Sequence, residues 1–286
     1  MKIKIFKIIT LSILIVFFTN CEDKNNSQNN QAVLGLLLAS SQSTNTGTNT
    51  NTSCPQGTVP SNIPIATTVV SANSTVSGFN NSTKAVNGIC GAGNNSGGLD
   101  VYALNLTGAG ATLKLSWAGK SVKNVSGIDF IVYENAFQVS ETSDRYLLDP
   151  MVVEVSSDDV TYCGFTLTYD STASTLNKIS SWGGFAGLRP VIYNMTSKVF
   201  TLDELFTSSG DGFLLGGGDG FDLDNLITSA SCTTTIRDSL KLNGIKFIKM
   251  VSASAVTNPN TGNVYTYPHA FDNASDIDGV IAKSVE

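Results

Sequence analysis

Short runs of apolar and β-branched residues, separated by turns rich in glycine and asparagine, constrain the fold of this chain most strongly. Leu113, Leu115 and Trp117 alternate with polar neighbours, which is typical of a strand with one face in a core and one in water. Residues 128–134 (IDFIVYE) and 151–155 (MVVEV) are runs rich in β-branched and aromatic residues, which predict strands buried on most sides. The other candidate strands are residues 101–106, 160–168, 199–202, 245–251, 264–267 and 277–282.

The composition agrees with a chain made mostly of strands. Charged residues make up only 14% of the sequence, and its polarity comes from abundant Ser, Thr, Asn and Gly. Many short strands with such turns predict an all-β fold, a jelly-roll-like β-sandwich that forms a single domain over residues 54–286. Residues 203–207 and 222–229 are expected to form short helices, each capped by its first aspartate.

The first 20 residues have the three parts of a secretion signal. Lys2, Lys4 and Lys7 are followed by an apolar run over residues 8–18, which is too short to span a membrane. The sequence Phe-Thr-Asn ahead of Cys21 is typical of a lipoprotein cleavage site, so we expect Cys21 to become the acylated N-terminus. The alternative is an ordinary signal peptide that ends near a cysteine. The anchored interpretation predicts export and a place on a membrane, the outer membrane or cell surface.

Residues 21–53 are expected to form a disordered tether behind the lipid. This segment is rich in Asn, Ser, Thr and Gln, and only residues 32–39 form an apolar patch. Without residues 1–20 the chain keeps 14 basic and 23 acidic side chains, a net charge of −9. Such an acidic balance argues against nucleic acid as a partner. It also argues against a polybasic protein surface that binds lipid headgroups. The expected partners are the membrane, through the lipid, and a glycan or protein ligand.

Four cysteines remain after Cys21, an even number in a chain expected to be exported. They permit three pairings, of which we favour Cys54 with Cys90 and Cys163 with Cys232, because each bridge then stays within one half of the domain. A zinc site is disfavoured, because the chain has no CxxC spacing and a single histidine.

Catalytic and nucleotide-binding motifs find little support in the sequence. Any histidine-dependent triad would need His269, and no GxSxG motif accompanies it. Gly119-Lys120-Ser121 resembles the end of a phosphate-binding loop, but Lys114 occupies the position where that motif needs glycine. We therefore expect no nucleotide.

Acidic residues gather in two glycine-containing stretches and suggest calcium, which prefers carboxylate and amide oxygens. They are Asp211, Asp219, Asp222 and Asp224 in one stretch and Asp272, Asp276 and Asp278 in the other. Neither stretch matches a calcium nonapeptide or an EF-hand. The alternative is a set of solvated acidic turns that keep strand edges from pairing.

Aromatic residues in predicted loops suggest a second kind of site. Trp182, Phe185, Tyr193, Tyr265 and Tyr267 fall in loops or at strand ends, where exposed rings could hold sugars or peptide side chains. We take Trp182, Phe185, Tyr265 and Tyr267 as the candidate ligand-binding residues. The alternative is that these rings pack in the core.

Several segments, in order, resemble a family of bacterial cell-surface β-sandwich proteins with the signature DFVVFENxF, VEVSSDG, LAGK, GGDxFDL and FDLDAV. They are residues 99–101 (LDV), 127–137 (GIDFIVYENAF), 153–158 (VEVSSD), 184–187 (GFAG), 218–223 (GDGFDL) and 275–280 (SDIDGV). The leader and the Asn-rich tether also resemble those of spirochaetal, particularly leptospiral, surface lipoproteins of unknown function.

The resemblance implies a jelly-roll-like sandwich and a surface location, but no established reaction. This chain has Leu188 where the signature has its lysine, and Ser275 where it has phenylalanine. The resemblance suggests a shared metal or structural site built from Glu134, Asp222 and Asp278, joined by Asn135, Asp219, Asp224 and Asp276.

These observations favour a lipid-anchored, non-enzymatic binding module for a host or envelope macromolecule, stabilised by calcium. One alternative is a carbohydrate-active enzyme with Glu134 and Asp278 as paired carboxylates. Another is a purely structural envelope lipoprotein.

Overall fold

The structure, a computed structural model, describes residue 54 and residues 59–141, 143–269 and 275–286. These residues belong to one unit that spans Thr50–Glu286. The predictions for the signal peptide, for Cys21, for the tether and for Asp272 lie outside the described residues.

The described residues are mostly antiparallel strands. The strands, in chain order, are β1 (Thr68–Ala72), β2 (Tyr102–Ala103), β3 (Thr112–Ser116), β4 (Phe130–Glu134), β5 (Phe137–Gln138), β6 (Tyr146–Leu147), β7 (Met151–Ser156), β8 (Cys163–Gly164), β9 (Thr168–Tyr169), β10 (Trp182–Gly183), β11 (Ser208–Gly210), β12 (Phe213–Leu214), β13 (Asp219–Phe221), β14 (Phe247–Ser252) and β15 (Asp276–Ala282). The helices are α1 (Leu202–Leu205) and α2 (Thr234–Asn243), with 3-10 turns at Ser82–Ala85, Ala109–Ala111, Ile179–Ser181, Leu223–Asn225 and Ala253–Ala255.

Two larger sheets organise these strands. One has five strands in the order β1-β3-β14-β7-β8, and the other has four in the order β13-β4-β15-β2. The pairs β5/β6, β9/β10 and β11/β12 form separate two-stranded ladders. The prediction of a β-rich fold is confirmed.

The two larger sheets share one hydrophobic core, which we call the shared core. Leu113 and Leu115 reach it from β3 and Val153 from β7, while Phe130 and Val132 reach it from β4. The alternation predicted for β3 is confirmed, because Leu113 and Leu115 are buried and Lys114 between them is partly exposed. Burial of these side chains stabilises the fold by about 1.5–3 kcal/mol each.

The outer face of the five-stranded sheet carries a row of charged side chains. Lys249 on β14 lies opposite Lys114 on one side and Glu154 on the other. Its Nζ is 2.6 Å from the Glu154 carboxylate, and Lys114 is 2.7 Å from Asp159. Both ammonium groups also lie over the Tyr162 ring, which adds cation–π attraction. This row is therefore partly exposed and held by ion pairs, whereas Val152 on β7 is buried in a cluster with Trp182.

The four-stranded sheet is covered on both faces. Ile131 and Tyr133 point away from the shared core into a second cluster, the outer cluster, which also contains Val191, Tyr193 and Leu214 from later loops. All five residues of β4 are buried, in agreement with the strand predicted over residues 128–134 as buried on most sides.

Two disulfides tie the loops to the sheets. Cys54 bonds to Cys90, and Cys163 in β8 bonds to Cys232 just ahead of α2. This is the pairing that the sequence favours.

Several local predictions need correction. Residues 222–229, expected to form a helix, contain no helical structure beyond the 3-10 turn at Leu223–Asn225. Helix α1 is capped by Thr201, which exchanges hydrogen bonds with Glu204, and not by Asp203. Residues 199–202 form no strand, and residues 264–267 contribute only an isolated bridge between Val264 and Thr257. Helix α2 was not predicted; Thr233 caps its start and Gly244, at φ 85°, ends it.

Within the described residues no helix has the length and apolar character needed to cross a membrane.

Candidate functional site

The acidic residues predicted to share a site occupy different environments. Glu134 and Asp276 meet where β4 pairs with β15, and Asp278 lies on the other face of that sheet. Asp219 binds an arginine, and Asp222 and Asp224 lie in a turn beside Asn124. The structure therefore places these carboxylates in separate environments, and a metal or structural site shared among them stays a prediction.

Glu134 is the centre of a buried acidic cluster. Following the alternation along β4, its side chain shares the face of Val132, and it is fully buried at the edge of the shared core. One carboxylate oxygen accepts a hydrogen bond of 2.9 Å from the Asp276 amide, while Oε2 has no hydrogen-bond partner among the described residues. Burial raises the pKa of Glu134 well above its usual value, and the nearby Asp149 carboxylate raises it further.

Asp149 belongs to this cluster and was missed by the sequence analysis. Its Oδ1 accepts a hydrogen bond of 2.6 Å from the Tyr267 hydroxyl and lies 3.0 Å from His269 Nε2. The Ser275 hydroxyl donates to its backbone carbonyl at 2.7 Å. Asp149 directly precedes a proline and lies outside both acidic stretches, so no motif in the sequence distinguishes it.

Asp278 faces the outer cluster. Its neighbour Ile277 points into the shared core, whereas Oδ2 of Asp278 accepts a hydrogen bond of 2.8 Å from the Cys90 amide. Burial raises the pKa of Asp278 to about 8. Glu134 and Asp278 thus lie on opposite faces of the four-stranded sheet, and an acid–base pair acting on one glycosidic bond needs both on the same side.

The remaining carboxylates hold loops. Asp219 accepts hydrogen bonds from the Leu188 amide at 2.9 Å and from Arg189 Nη1 at 2.7 Å. Asp222 accepts from the Asp224 amide at 2.8 Å, which starts the 3-10 turn of Leu223–Asn225 as its predicted cap. Each of these contacts fixes local backbone or a neighbouring side chain.

Asn135 and Asp129 also hold backbone. The Asn135 amide exchanges hydrogen bonds with both backbone groups of Gly98. Asp129, which the sequence analysis did not single out, is buried and accepts from the Val125 and Leu223 amides at 2.6 and 2.7 Å. Burial raises the pKa of Asp129 to about 6, although those two hydrogen bonds oppose the rise.

Within the described part of the chain, no three or more His, Cys, Asp or Glu side chains are grouped so that they could hold a metal ion. Calcium binding by the residues predicted for it stays a prediction.

The aromatic residues predicted as an exposed site are not exposed. Trp182, Phe185 and Tyr265 are each 3% exposed or less, and they pack edge to face in a third, aromatic cluster. Tyr193 is fully buried in the outer cluster. Tyr267 is partly buried and directs its hydroxyl at Asp149. The expected exposure is wrong, because these loops fold over the sheets and use their rings as core.

A surface cleft of about 350 Å³ lies beside the outer cluster, and the sequence analysis missed it. Its apolar part contains Pro190, Ile192, Leu214 and Leu215, and its aromatic part contains Tyr146 and Phe213. Asn94, Gln138 and Ser209 supply the polar groups, so the described residues that line the cleft are all uncharged. The volume lies within the range of small-molecule sites.

Short hairpins and loops build the cleft. Gln138 on β5 and Tyr146 on β6 come from one ladder, and Phe213 and Leu214 come from β12 in another. The backbone amide of Gln138 donates to the backbone carbonyl of Asn94 at 2.7 Å. This bond holds the loop that contains Asn94 against the ladder that contains Gln138. Because these residues are spread over more than a hundred positions of the chain, no short motif could indicate the cleft.

The buried Asp219 supports one aromatic wall of the cleft through Arg189. The Arg189 guanidinium lies over the Phe213 ring, 5.5 Å from its centre, and is held by the 2.7 Å ion pair with Asp219. Burial raises the pKa of the Tyr146 hydroxyl, and the positive charge of Arg189 opposes that rise. A buried ion pair with additional hydrogen bonds is costly to break, so this arrangement keeps both the arginine and the ring in place.

Comparisons of the chain with protein-family models, with curated proteins and with solved structures found no match.

Proposed function

We propose that this protein is a lipid-anchored cell-surface binding module whose two larger sheets form a jelly-roll-like β-sandwich. Its proposed ligand is a host or envelope macromolecule, part of which enters the cleft between the two short hairpins. The observation that carries the proposal is the cleft itself, about 350 Å³ in volume and lined by uncharged polar, aromatic and apolar side chains. Concave, mostly apolar sites with a few polar groups are where proteins usually bind ligands.

The proposed address rests on the N-terminal sequence. The basic start, the short apolar run and Cys21 fit export followed by acylation, and two disulfides suit an oxidising compartment. Under this proposal Cys21 carries the lipid, and the outer membrane or cell surface carries the protein.

Binding is favoured over catalysis by the placement of the acidic residues. Glu134 and Asp278 face opposite sides of one sheet, and neither lines the cleft. His269 lies 3.0 Å from the Asp149 carboxylate and is also no part of the cleft lining. A general acid or base has to reach the bond that it acts on.

The test compares two arginine variants on an array of glycans and matrix proteins. Leu215→Arg puts a long charged side chain into the cleft, and Leu242→Arg makes the same change on α2, where Leu242 is 81% exposed. We expect Leu215→Arg to bring the signal to background and Leu242→Arg to leave it unchanged. A wild-type protein with no signal, or equal binding by both variants, contradicts the proposal.

Surface proteolysis of intact cells tests the address. Removal of the protein by external protease supports exposure, and complete protection contradicts it.

Calcium is tested by thermal unfolding with and without a chelator, because an ion that binds only the folded state raises the midpoint of unfolding. An unchanged midpoint would show that calcium does not stabilise the fold. If the array shows no binding and external protease does not reach the protein, a structural role in the envelope is favoured.

A further inference from the structure

The chemistry of the cleft narrows the class of its ligand, and this inference rests on the proposed binding function. We propose that the cleft binds an uncharged oligosaccharide, with a sugar ring packed between Tyr146 and Phe213 and its hydroxyls hydrogen-bonded by Gln138 and Asn94.

The lining carries no counter-charge for an ionic ligand. The described residues that line the cleft are uncharged, and Arg189, which lies over the Phe213 ring, is paired with Asp219 at 2.7 Å. An acidic ligand group placed here would lose part of its hydration without gaining a positive partner from the lining residues, which is costly. The cleft is therefore built for a neutral ligand.

Two aromatic residues on separate hairpins suit the face of a sugar. Phe213 on β12 and Tyr146 on β6 are both partly exposed. Arg189 lies over the Phe213 ring, so this wall is held in place before a ligand arrives. A pyranose has an apolar C–H face that packs on such rings, and a wall already in place lowers the entropy cost of binding.

Neutral amide groups suit the hydroxyls of a sugar. The Gln138 side-chain nitrogen donates to the Ser143 carbonyl, which fixes the amide and leaves its carbonyl oxygen to accept from a ligand hydroxyl. Asn94 is exposed at the rim and offers a donor and an acceptor. Hydroxyl groups both donate and accept, so such amides match them on both counts.

A peptide is the main rival occupant, because β11 beside the cleft pairs only with β12 among the described strands and could add a peptide strand. The polar side chains and aromatic pair of the cleft favour the sugar. Binding of peptides alone in the test below would favour this rival.

The test uses the full-length protein on an array of neutral oligosaccharides, oligosaccharides that contain uronic or sialic acids, and peptides. We expect neutral oligosaccharides to bind. We also expect the dissociation constant to change less than about twofold between about 0.05 M and about 0.5 M salt, because no charge pair contributes.

Cleft variants assign the binding to the named residues. Phe213→Ala and Tyr146→Ala are expected to weaken binding roughly tenfold, Gln138→Ala severalfold, and Tyr146→Phe hardly at all, because it keeps the ring. The control is Phe79→Ala, another partly buried loop phenylalanine that is not part of the cleft lining. Thermal unfolding of each variant confirms that the domain is folded.

The outcomes separate this inference from the proposed function. Binding of peptides or acidic oligosaccharides alone, abolished by Leu215→Arg, overturns the neutral sugar and leaves the binding module standing. Binding of neutral oligosaccharides that survives Phe213→Ala and Tyr146→Ala overturns the assignment to the cleft. No binding of any probe contradicts both.

Discussion

The two larger sheets of this protein differ in how far their outer faces, the faces away from the shared core, are exposed. On the five-stranded sheet, Lys114, Glu154 and Lys249 form a partly exposed row of charges. On the four-stranded sheet the corresponding face is covered by the outer cluster, and Ile131 and Tyr133 are fully buried. The outer face of the first sheet is partly exposed at its charged row, whereas the outer face of the second sheet is covered by loops.

This difference explains where the unusual chemistry is found. Buried carboxylates such as Glu134 and Asp278 lie on β4 and β15 of the covered sheet, and the cleft adjoins its outer cluster through Leu214. A polar group costs little on a solvated face but needs a partner on a covered one. Substitutions on the outer face of the covered sheet should therefore have larger effects than substitutions in the charged row of the other sheet. Three of the four predictions below test this comparison, and one compares the two disulfides.

The largest effect is expected from the apolar cover itself. Ile131→Ala opens a cavity on the outer face of β4, and we expect it to lower the free energy of unfolding by about 2–5 kcal/mol. Lys114→Ala, on the outer face of β3, is expected to cost less than about 1 kcal/mol. Chemical denaturation of both variants measures the two values. Equal losses would mean that the two faces do not differ as described.

The second prediction compares the disulfides. Cys163 and Cys232 are fully buried in the shared core and are separated by 69 residues, whereas the Cys54–Cys90 pair is separated by 36. Replacing both Cys163 and Cys232 with Ala is expected to cost about 2–4 kcal/mol through loop entropy, with lost packing in addition. Replacing Cys54 and Cys90 should cost less. Denaturation of the two double variants decides the order, and the reverse order would contradict it.

The third prediction concerns pH and Asp278. Its pKa of about 8 in the folded state is above the ordinary 3.8, so the folded state holds the proton more tightly than the unfolded state does. Stability from this group is complete below about pH 4 and is lost as the pH rises towards about 8, by roughly 1 kcal/mol per pH unit. Asp278→Asn should remove this part of the slope. Unfolding midpoints measured across that window would refute the assignment if the variant and the wild type kept the same slope.

The smallest effect is expected in the charged row. Lys249 and Glu154 are 2.6 Å apart and partly exposed, and a double-mutant cycle with Lys249→Ala and Glu154→Ala should give a coupling of about 0.2–1 kcal/mol. High salt should reduce this coupling further. A coupling of several kcal/mol, unaffected by salt, would show that this face is less solvated than described.

Features determined by neighbouring residues could be predicted from the sequence. The alternation around Leu115 located β3, and the apolar run that contains Val132 located β4 as a strand buried on most sides. Pairing of Cys163 with Cys232 followed from keeping each bridge local. In each case the prediction depends on consecutive residues or on the positions of the cysteines along the chain.

Features determined by the three-dimensional path could not be predicted. The register shift between Ile277 and Gly279 is not visible as a sequence period, so the face of Asp278 was unknown. Trp182 occurs in a glycine-containing loop and was expected at the surface, yet that loop covers a sheet. The cleft joins Asn94, Gln138 and Phe213 from three distant segments, and only the fold brings them together.

The bond between Cys54 and Cys90 has a mechanical consequence. A pull on the chain ahead of Cys54 passes through this covalent bond directly to Cys90, bypassing β1 and the 3-10 turn at Ser82–Ala85. From Cys90 the load continues through its 2.8 Å amide contact with Asp278 into β15, a central strand of its sheet. Strands in the middle of a sheet share such a load with a partner on each side, so a domain held at this end resists being unravelled from it.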